Sequence, residues 1–476
     1  LVFSSEVFLF VFLPAVLAAY VVVRPSWAKN AVLVVASLLF YSWGETRYVA
    51  LILGSALVNY GFGLGLSRLP DALAEQRRAL LGIAVAVDLA VLVFFKYSNF
   101  LADNWNFALG SRIGREVPLS QVYLPLGISF FTFHAISYVV DVYRRTSAAR
   151  KNPLEVVLYF VFFPQLIAGP IIRYKDIAGQ LSRHRVTVDD FAEGVRRFVV
   201  GLAKKVLIAN VLGSAVDRIF ATAPAGIPQW MAWFGIAAYT LQIYFDFSGY
   251  SDMAIGLARM FGFRLLENFD FPYISGSIQE FWRRWHISLS RWFRDYLYIP
   301  LGGNRVSPWR VYANLVLVFF LCGLWHGAKW TFVIWGMLHG LFLVLERVGW
   351  LRRVTATPVL RHVYVLAVVA FAWVFFRADS LAYALGYLTA LVRPAAQPGL
   401  TADVVSHQAL FTLLVGCWFA TPVTARAVER ARTALLAPAR AVLVQGAVVA
   451  GVCALLLLSV AALAAGTYNP FIYFRF

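Results

Sequence analysis

Long apolar runs, broken by short polar or basic stretches, cover almost the whole chain. They lie near 5–23, 30–43, 48–66, 79–95, 122–142, 154–172, 195–216, 231–260, 311–326, 330–346, 361–376, 408–422 and 441–466. A helix needs roughly 20 apolar residues to cross a bilayer. Several runs are short or carry proline and charge, so the pattern predicts roughly 11 to 13 membrane-inserted helices, some re-entrant or interfacial. Basic stretches at 68–78, 144–151, 173–185 and 426–440 separate the runs, and 394–406, with two prolines and a glycine, reads as a loop. The first run has no basic region before it and no small-residue cleavage site behind it, so it reads as a span and not as a signal peptide. Arg24 and Lys29 follow it, while only Glu6 is charged before it; basic residues gather on the cytoplasmic side, which places the N-terminus outside.

Composition agrees with the pattern. The 476 residues are 61% hydrophobic and 14% charged, where a soluble domain has about 25% charged residues. No hydrophilic stretch is long enough for a separate soluble domain, so residues 1–476 read as one integrated all-α polytopic membrane domain. The net charge of +18 would raise nucleic acid as a partner in a soluble protein. In a polytopic chain it follows from Lys and Arg in cytoplasmic loops, and no nucleic acid is implied. Cys322, Cys417 and Cys453 sit in apolar runs without ligand spacing, so neither a disulfide framework nor a metal site is expected.

The middle of the chain differs from its ends. Between about 120 and 345 the apolar runs carry His134, Asp141, Gln165, Gln242, Asp246, Asp252, His326 and His339. Polar groups in a bilayer are costly and usually face a bundle interior or a wet cavity. Each alone reads as a hydrogen bond between helices; together they mark a functional core at about 120–345.

Two stretches within that core carry candidate chemistry. From Phe281 to Tyr296, helical spacing puts Trp282, Trp285, Leu289, Trp292, Phe293 and Tyr296 on one face. Arg283, Arg284, Arg291 and Arg294 fall on the other, with His286 at the aromatic edge. That predicts an amphipathic helix at the membrane interface. Its arginines serve either as headgroup anchors or as forks for a phosphate-bearing donor. From Leu321 to Trp330, L-C-G-L-W-H-G-A-K-W, an apolar run ends in His326 between Gly323 and Gly327, small residues that allow close approach of a substrate or of backbone. Histidine titrates near neutrality and suits proton transfer. For a lone histidine at a helix end, as His326 is, a hydrogen-bonded structural role is the plainer reading, and neither histidine has metal-ligand spacing.

The two stretches together resemble the membrane-bound O-acyltransferase family, and within it the bacterial branch that serves alginate O-acetylation. The family's W-x-x-W-H-x-S-L-x-x-W-x-x-x-Y-L-Y-x-P-L-G-G pattern is similar to Trp282–Gly303, and its L-W-H-G element to Leu324–Gly327. Val2–Phe10, Phe94–Phe100, Leu124–Phe133, Phe163–Arg173, Gly201–Ala209, Tyr244–Gly256 and Tyr468–Phe476 also resemble the branch, in order. Asn210 stands where the branch leads one to expect Asp.

The resemblance implies a ring of tilted transmembrane and re-entrant helices around a central funnel. It carries the family's catalytic histidine onto His326, which would deprotonate or orient an acceptor hydroxyl, and its second histidine onto His286 as the supporting group. It also implies a multi-pass enzyme of the bacterial inner membrane with no bound cofactor. Its acyl donor would be acetyl-CoA or a carrier-protein thioester. Its partners would be membrane lipid, a periplasmic or extracellular acetyltransferase and a polysaccharide. Transfer of D-alanine from a carrier protein towards teichoic acid is the alternative within the enzyme class. A proton-coupled transporter is the alternative outside it; that reading predicts internal symmetry and paired broken helices, and the sequence displays neither.

Overall fold

The computed structural model describes residues 2–118, 121–182, 185–393, 402–434, 438–466 and 468–470. Among the described residues every regular element is a helix. Seven helical stretches are long and apolar enough to cross a membrane: Ser26–Arg68, Asp71–Gly110, Val188–Phe220, Pro308–His326, Trp330–Val348, Pro358–Arg377 and Val444–Ala465. Phe8–Val22, Ile128–Tyr143, Leu381–Val392 and His407–Phe419 are shorter apolar helices. The chain is an all-α polytopic membrane protein. Most of the 394–406 loop and the last residues of the Tyr468–Phe476 motif lie outside the described residues.

Backbone contacts divide the chain into two compact units, Leu1–Val195 with Ala254–Leu266 and Arg196–Met253 with Glu267–Phe476. In the first, Ile128–Tyr143 is buried along nearly its whole length and packs on Val49–Arg68 and Ala74–Trp105. Those two helices turn Leu57, Val58, Ile83, Val93 and Phe94 outward, as a lipid-facing surface requires. The motifs of this unit hold the fold. Phe3 and Phe8 from the N-terminal motif pack with Phe40 and Phe163 in an aromatic cluster, ring centroids 5.0 to 6.4 Å apart. Lys96 Nζ donates to Ser129 Oγ at 3.0 Å. Asn99 exchanges two hydrogen bonds with the backbone of Val122, at 3.0 and 3.1 Å. Gly127, at φ 74°, starts Ile128–Tyr143 in a conformation that favours glycine.

The candidate run at 154–172 does not form one continuous helix. The chain makes Pro153–Val161, breaks at Phe162, adds one turn over Phe163–Leu166 and then runs non-helical to Arg173. Pro164 lacks a backbone donor, and Gly169 and Pro170 do not continue a helix. The irregular backbone is buried in protein, the setting in which such backbone is tolerated at membrane depth. The basic stretch at 426–440 is helical wherever it is described, within Val423–Ala434 and at the start of Pro438–Ala465.

The second unit is built on a helical hairpin of Pro308–His326 and Trp330–Val348, against which Ile278–Arg284 and Pro358–Arg377 pack. Glycine makes the crossing close. A Cβ on Gly323 would run into the Phe332 carbonyl, and one on Gly336 into the Phe319 carbonyl. Gly323 and Gly327 thus admit a neighbouring chain segment, the backbone and ring of Phe332, rather than a substrate.

Candidate active site

The Phe281–Tyr296 stretch is not one helix. Ile278–Arg284 ends at Trp285, and a new helix, Ile287–Phe293, starts after His286. His286 itself sits at φ 44°, ψ 55°, a left-handed conformation that costs a residue with a Cβ roughly 1–2 kcal/mol. The neighbouring segment around Asn268 holds the break open. The Asp270 N–H donates to the Arg284 carbonyl at 3.0 Å, and the Ile287 N–H donates to the Asn268 carbonyl at 3.0 Å. The Ser288 N–H donates to Asn268 Oδ1 at 3.2 Å. Groups left open at the two helix ends are thereby satisfied by a segment more than a dozen residues upstream.

The two faces read from the pattern survive the break. Trp282, Trp285, Leu289, Trp292 and Phe293 are buried, while Arg283, Arg291 and Arg294 are exposed. The rings bury against protein: Trp285 against Phe269, Phe281 and Trp373, and Trp282 against Phe319, Trp335 and His339. Arg284 is engaged by Asp270 at 2.7 Å and Glu280 at 2.9 Å, and Arg294 by Asp295 at 2.8 Å. Carboxylates thus occupy two of the four guanidiniums of this face.

His286 and His326 come together. Their ring centroids lie 6.5 Å apart, and they are 0% and 5% exposed. His326 is the last residue of Pro308–His326; Gly327 follows in an extended conformation and ends the helix. Its ring is enclosed by Trp325 and Trp335 at 4.9 Å each and Phe376 at 5.2 Å. The His286 ring stands edge-on to Phe247 at 4.6 Å. Burial pushes the His286 pKa below its ordinary value, so its imidazole is neutral near pH 7. His339, also fully buried, stacks parallel to Phe281 and packs on Trp335; it belongs to the same aromatic mass.

A cavity of about 30 Å³ lies beside this enclosure, lined by Phe332 and Phe376 together with Gln242, Lys329, Arg377 and Asp217. That is room for one or two water-sized groups, such as a hydroxyl. The other intramembrane polar residues divide by role. Gln242 lines the cavity. Asp246 is 2.5 Å from Lys205 Nζ, Asp252 pairs with Lys204 at 2.6 Å and Arg197 at 2.8 Å, and Gln165 donates to the Tyr159 carbonyl at 2.5 Å. Asp141 accepts from the Lys175 N–H at 2.9 Å, and His134 packs on Tyr159 at 5.2 Å. These five hold the chain together. Asn210 donates to Asn469 at 3.2 Å, an amide pair where the family pattern would have placed a charge.

Two histidines from separate elements, desolvated and side by side, are suited to moving a proton between a hydroxyl and a second group. The family model for MBOAT, the membrane-bound O-acyltransferase family, matches residues 80–386 and therefore includes both. The chain belongs to the membrane-bound O-acyltransferase family. It is 46% identical over 385 residues to the probable alginate O-acetylase AlgI of Azotobacter vinelandii, a match that covers 80% of this chain and 76% of the relative. It is 38% identical over 430 residues to the peptidoglycan O-acetyltransferase of Helicobacter pylori, covering 82% and 80%. The teichoic acid D-alanyltransferase of Streptococcus thermophilus is more distant, 31% identical over 59% of this chain and 73% of that protein. The protein is thus a multi-pass O-acyltransferase that takes an acyl group from a donor.

Sequence reasoning missed Asn268, which touches His286, and Trp335 and Phe376, which enclose His326. No histidine-centred motif contains Asn268. It stands 18 residues before its partner (286 minus 268), and only the fold joins them.

Proposed function

We propose that this acyltransferase carries an acetyl group from a cytoplasmic thioester, acetyl-CoA or a carrier-protein thioester, across the bacterial inner membrane for O-acetylation of an envelope or secreted polysaccharide. A periplasmic or extracellular acetyltransferase partner completes the transfer. The acetyl group and the polysaccharide are read from the names of the relatives. The observation that carries the mechanism is the pairing of His286 and His326 inside an aromatic enclosure next to a hydroxyl-sized cavity.

In this reading His326 takes the proton of the acceptor hydroxyl as its oxygen attacks the thioester carbonyl. The tetrahedral intermediate collapses, the carbon–sulfur bond breaks, and the proton passes to the departing thiolate. The oxyanion of the intermediate needs a donor. The Trp335 indole N–H is buried without a protein acceptor among the described residues, and its ring packs on His326, so it suits that task. His286 supports His326 from the neighbouring element. Excluding water, as this enclosure does, also protects the thioester from hydrolysis. The relatives named as O-acetylases, at 46% and 38% identity, stand nearer than the D-alanyltransferase at 31%, which favours acetyl transfer, and no observation favours a transporter.

The test is polymer O-acetylation in cells carrying His326→Ala or His286→Ala, with membrane abundance measured alongside. Removal of the base lowers acetylation by about 10²-fold or more at normal abundance. Normal acetylation in the His326→Ala strain would make that histidine structural and the mechanism wrong.

A further inference from the structure

Asn268 is 1% exposed and has no place in the reaction as described above. Its side chain makes a one-way set of hydrogen bonds. Oδ1 accepts from the Ser288 N–H at 3.2 Å and from Ser288 Oγ at 2.9 Å; Nδ2 donates to Ser251 Oγ at 3.0 Å. A backbone N–H is a donor without alternative, so the Ser288 contact fixes which end of the amide is oxygen. That same oxygen lies 3.1 Å from His286 Nδ1. An unprotonated Nδ1 would set two lone pairs against each other at that distance in a buried site, which is unfavourable. Nδ1 therefore carries the proton.

A neutral imidazole has one N–H. With it on Nδ1, Nε2 holds a bare lone pair, and Nε2 is buried with no partner among the described residues. Elsewhere in the protein such an atom would be an unexplained cost. Beside His326 it is an acceptor held ready. The left-handed backbone at His286 fits the same arrangement, because the Asn268 segment that bonds the ring also bonds Ile287 and Ser288.

The geometry points to Asn268 as a positioning residue that locks His286 in the Nδ1–H tautomer, so that His286 Nε2 serves as a proton or hydroxyl acceptor next to His326. The acceptor role rests on the acyl-transfer reading above; the tautomer does not. His286 is then more than a neutral support: it presents a defined lone pair to the acceptor hydroxyl or to the His326 N–H.

The experiment is ¹⁵N NMR on purified full-length protein labelled at histidine, where the ring nitrogens report which one is protonated. The seven histidines are reduced to one by difference against His286→Gln. The expected result is Nδ1–H with bare Nε2 at His286 in the native protein, kept in Asn268→Asp, whose carboxylate still accepts, and changed to Nε2–H in Asn268→Ala. A native His286 found as Nε2–H overturns the proposal without any variant, and so does an unchanged tautomer in Asn268→Ala. In cells, Asn268→Ala at normal membrane abundance lowers polymer acetylation at least about tenfold, and Asn268→Asp retains more of it. A tautomer that changes while acetylation does not overturns the positioning role. A tautomer result as expected in a protein that transfers no acetyl group overturns the function instead, and leaves the Asn268 lock in place.

Discussion

Lys205 and Asp246 face each other at 2.5 Å with side chains 4% and 2% exposed, and Lys205 also donates to the Pro470 carbonyl. A buried ion pair contributes little net stability, yet breaking it strands a charge at a cost of about 3–5 kcal/mol. Lys205→Met alone is therefore strongly destabilising, whereas Lys205→Met with Asp246→Leu recovers most of the loss. Thermal unfolding of the detergent-purified variants checks this; equal loss in the single and double variants would refute the pairing. His326 and His286 differ from this pair in kind. Rings of Trp325, Trp335 and Phe376 enclose His326, Phe247 and Asn268 meet His286, and in the proposed mechanism their task is proton transfer. The sequence pointed to both histidines, since His326 ends an apolar run and His286 sits at the edge of an aromatic face. It could not sort the surrounding carboxylates, because an Asp that lines a cavity and an Asp that meets a lysine across helices read the same along the chain.

At the scale of elements, the hairpin of Pro308–His326 and Trp330–Val348 depends on its glycines. Gly323→Val or Gly336→Val places carbon on a backbone carbonyl of the facing helix, forces the helices apart and moves His326, which sits one turn beyond Gly323. Both variants are expected to lose folded protein, or activity with it. Gly446→Ala meets nothing within 4 Å and is expected to be neutral or slightly stabilising, since alanine exceeds glycine in helix propensity by about 1 kcal/mol. Fluorescence-detected size-exclusion profiles separate the two classes; a normal profile and full activity in both valine variants would contradict the close crossing. The helix break at His286 was not legible from periodicity. The 3.6-residue pattern continues through it, and the force that opens it, hydrogen bonding from Asn268 and Asp270, comes from outside the stretch.

For the whole molecule, the end of the described chain is tied into the second unit. Tyr468 donates to Asp217 at 2.7 Å, Asn469 accepts from Asn210, and the Pro470 carbonyl accepts from Lys205. Asp217 is also paired with Arg377 at 2.9 Å, and Asp217, Arg377 and Pro470 line the cavity beside the enclosure of His326. Truncation after Gly466 removes all three contacts. It is expected to lower the melting temperature and to cut acetylation by more than the fall in abundance explains. Melting and acetylation unaltered by truncation would show that these contacts do not support the site.

By itself the sequence determined the membrane class and most of the spans, and it singled out the two histidines as candidates. Membrane insertion follows from contiguous apolar length, and a histidine among glycines and tryptophans is a local signal. It also carried the family, through motifs that keep their order along the chain. Only the tertiary structure decided that the 154–172 run breaks at Phe162 and ends in buried irregular backbone, that Gly323 and Gly336 serve a helix crossing and that the Phe281–Tyr296 stretch breaks at His286. It alone brought Asn268 to that ring. Each of these depends on a partner far away in sequence, and hydrogen bonds and close contacts are properties of pairs in space.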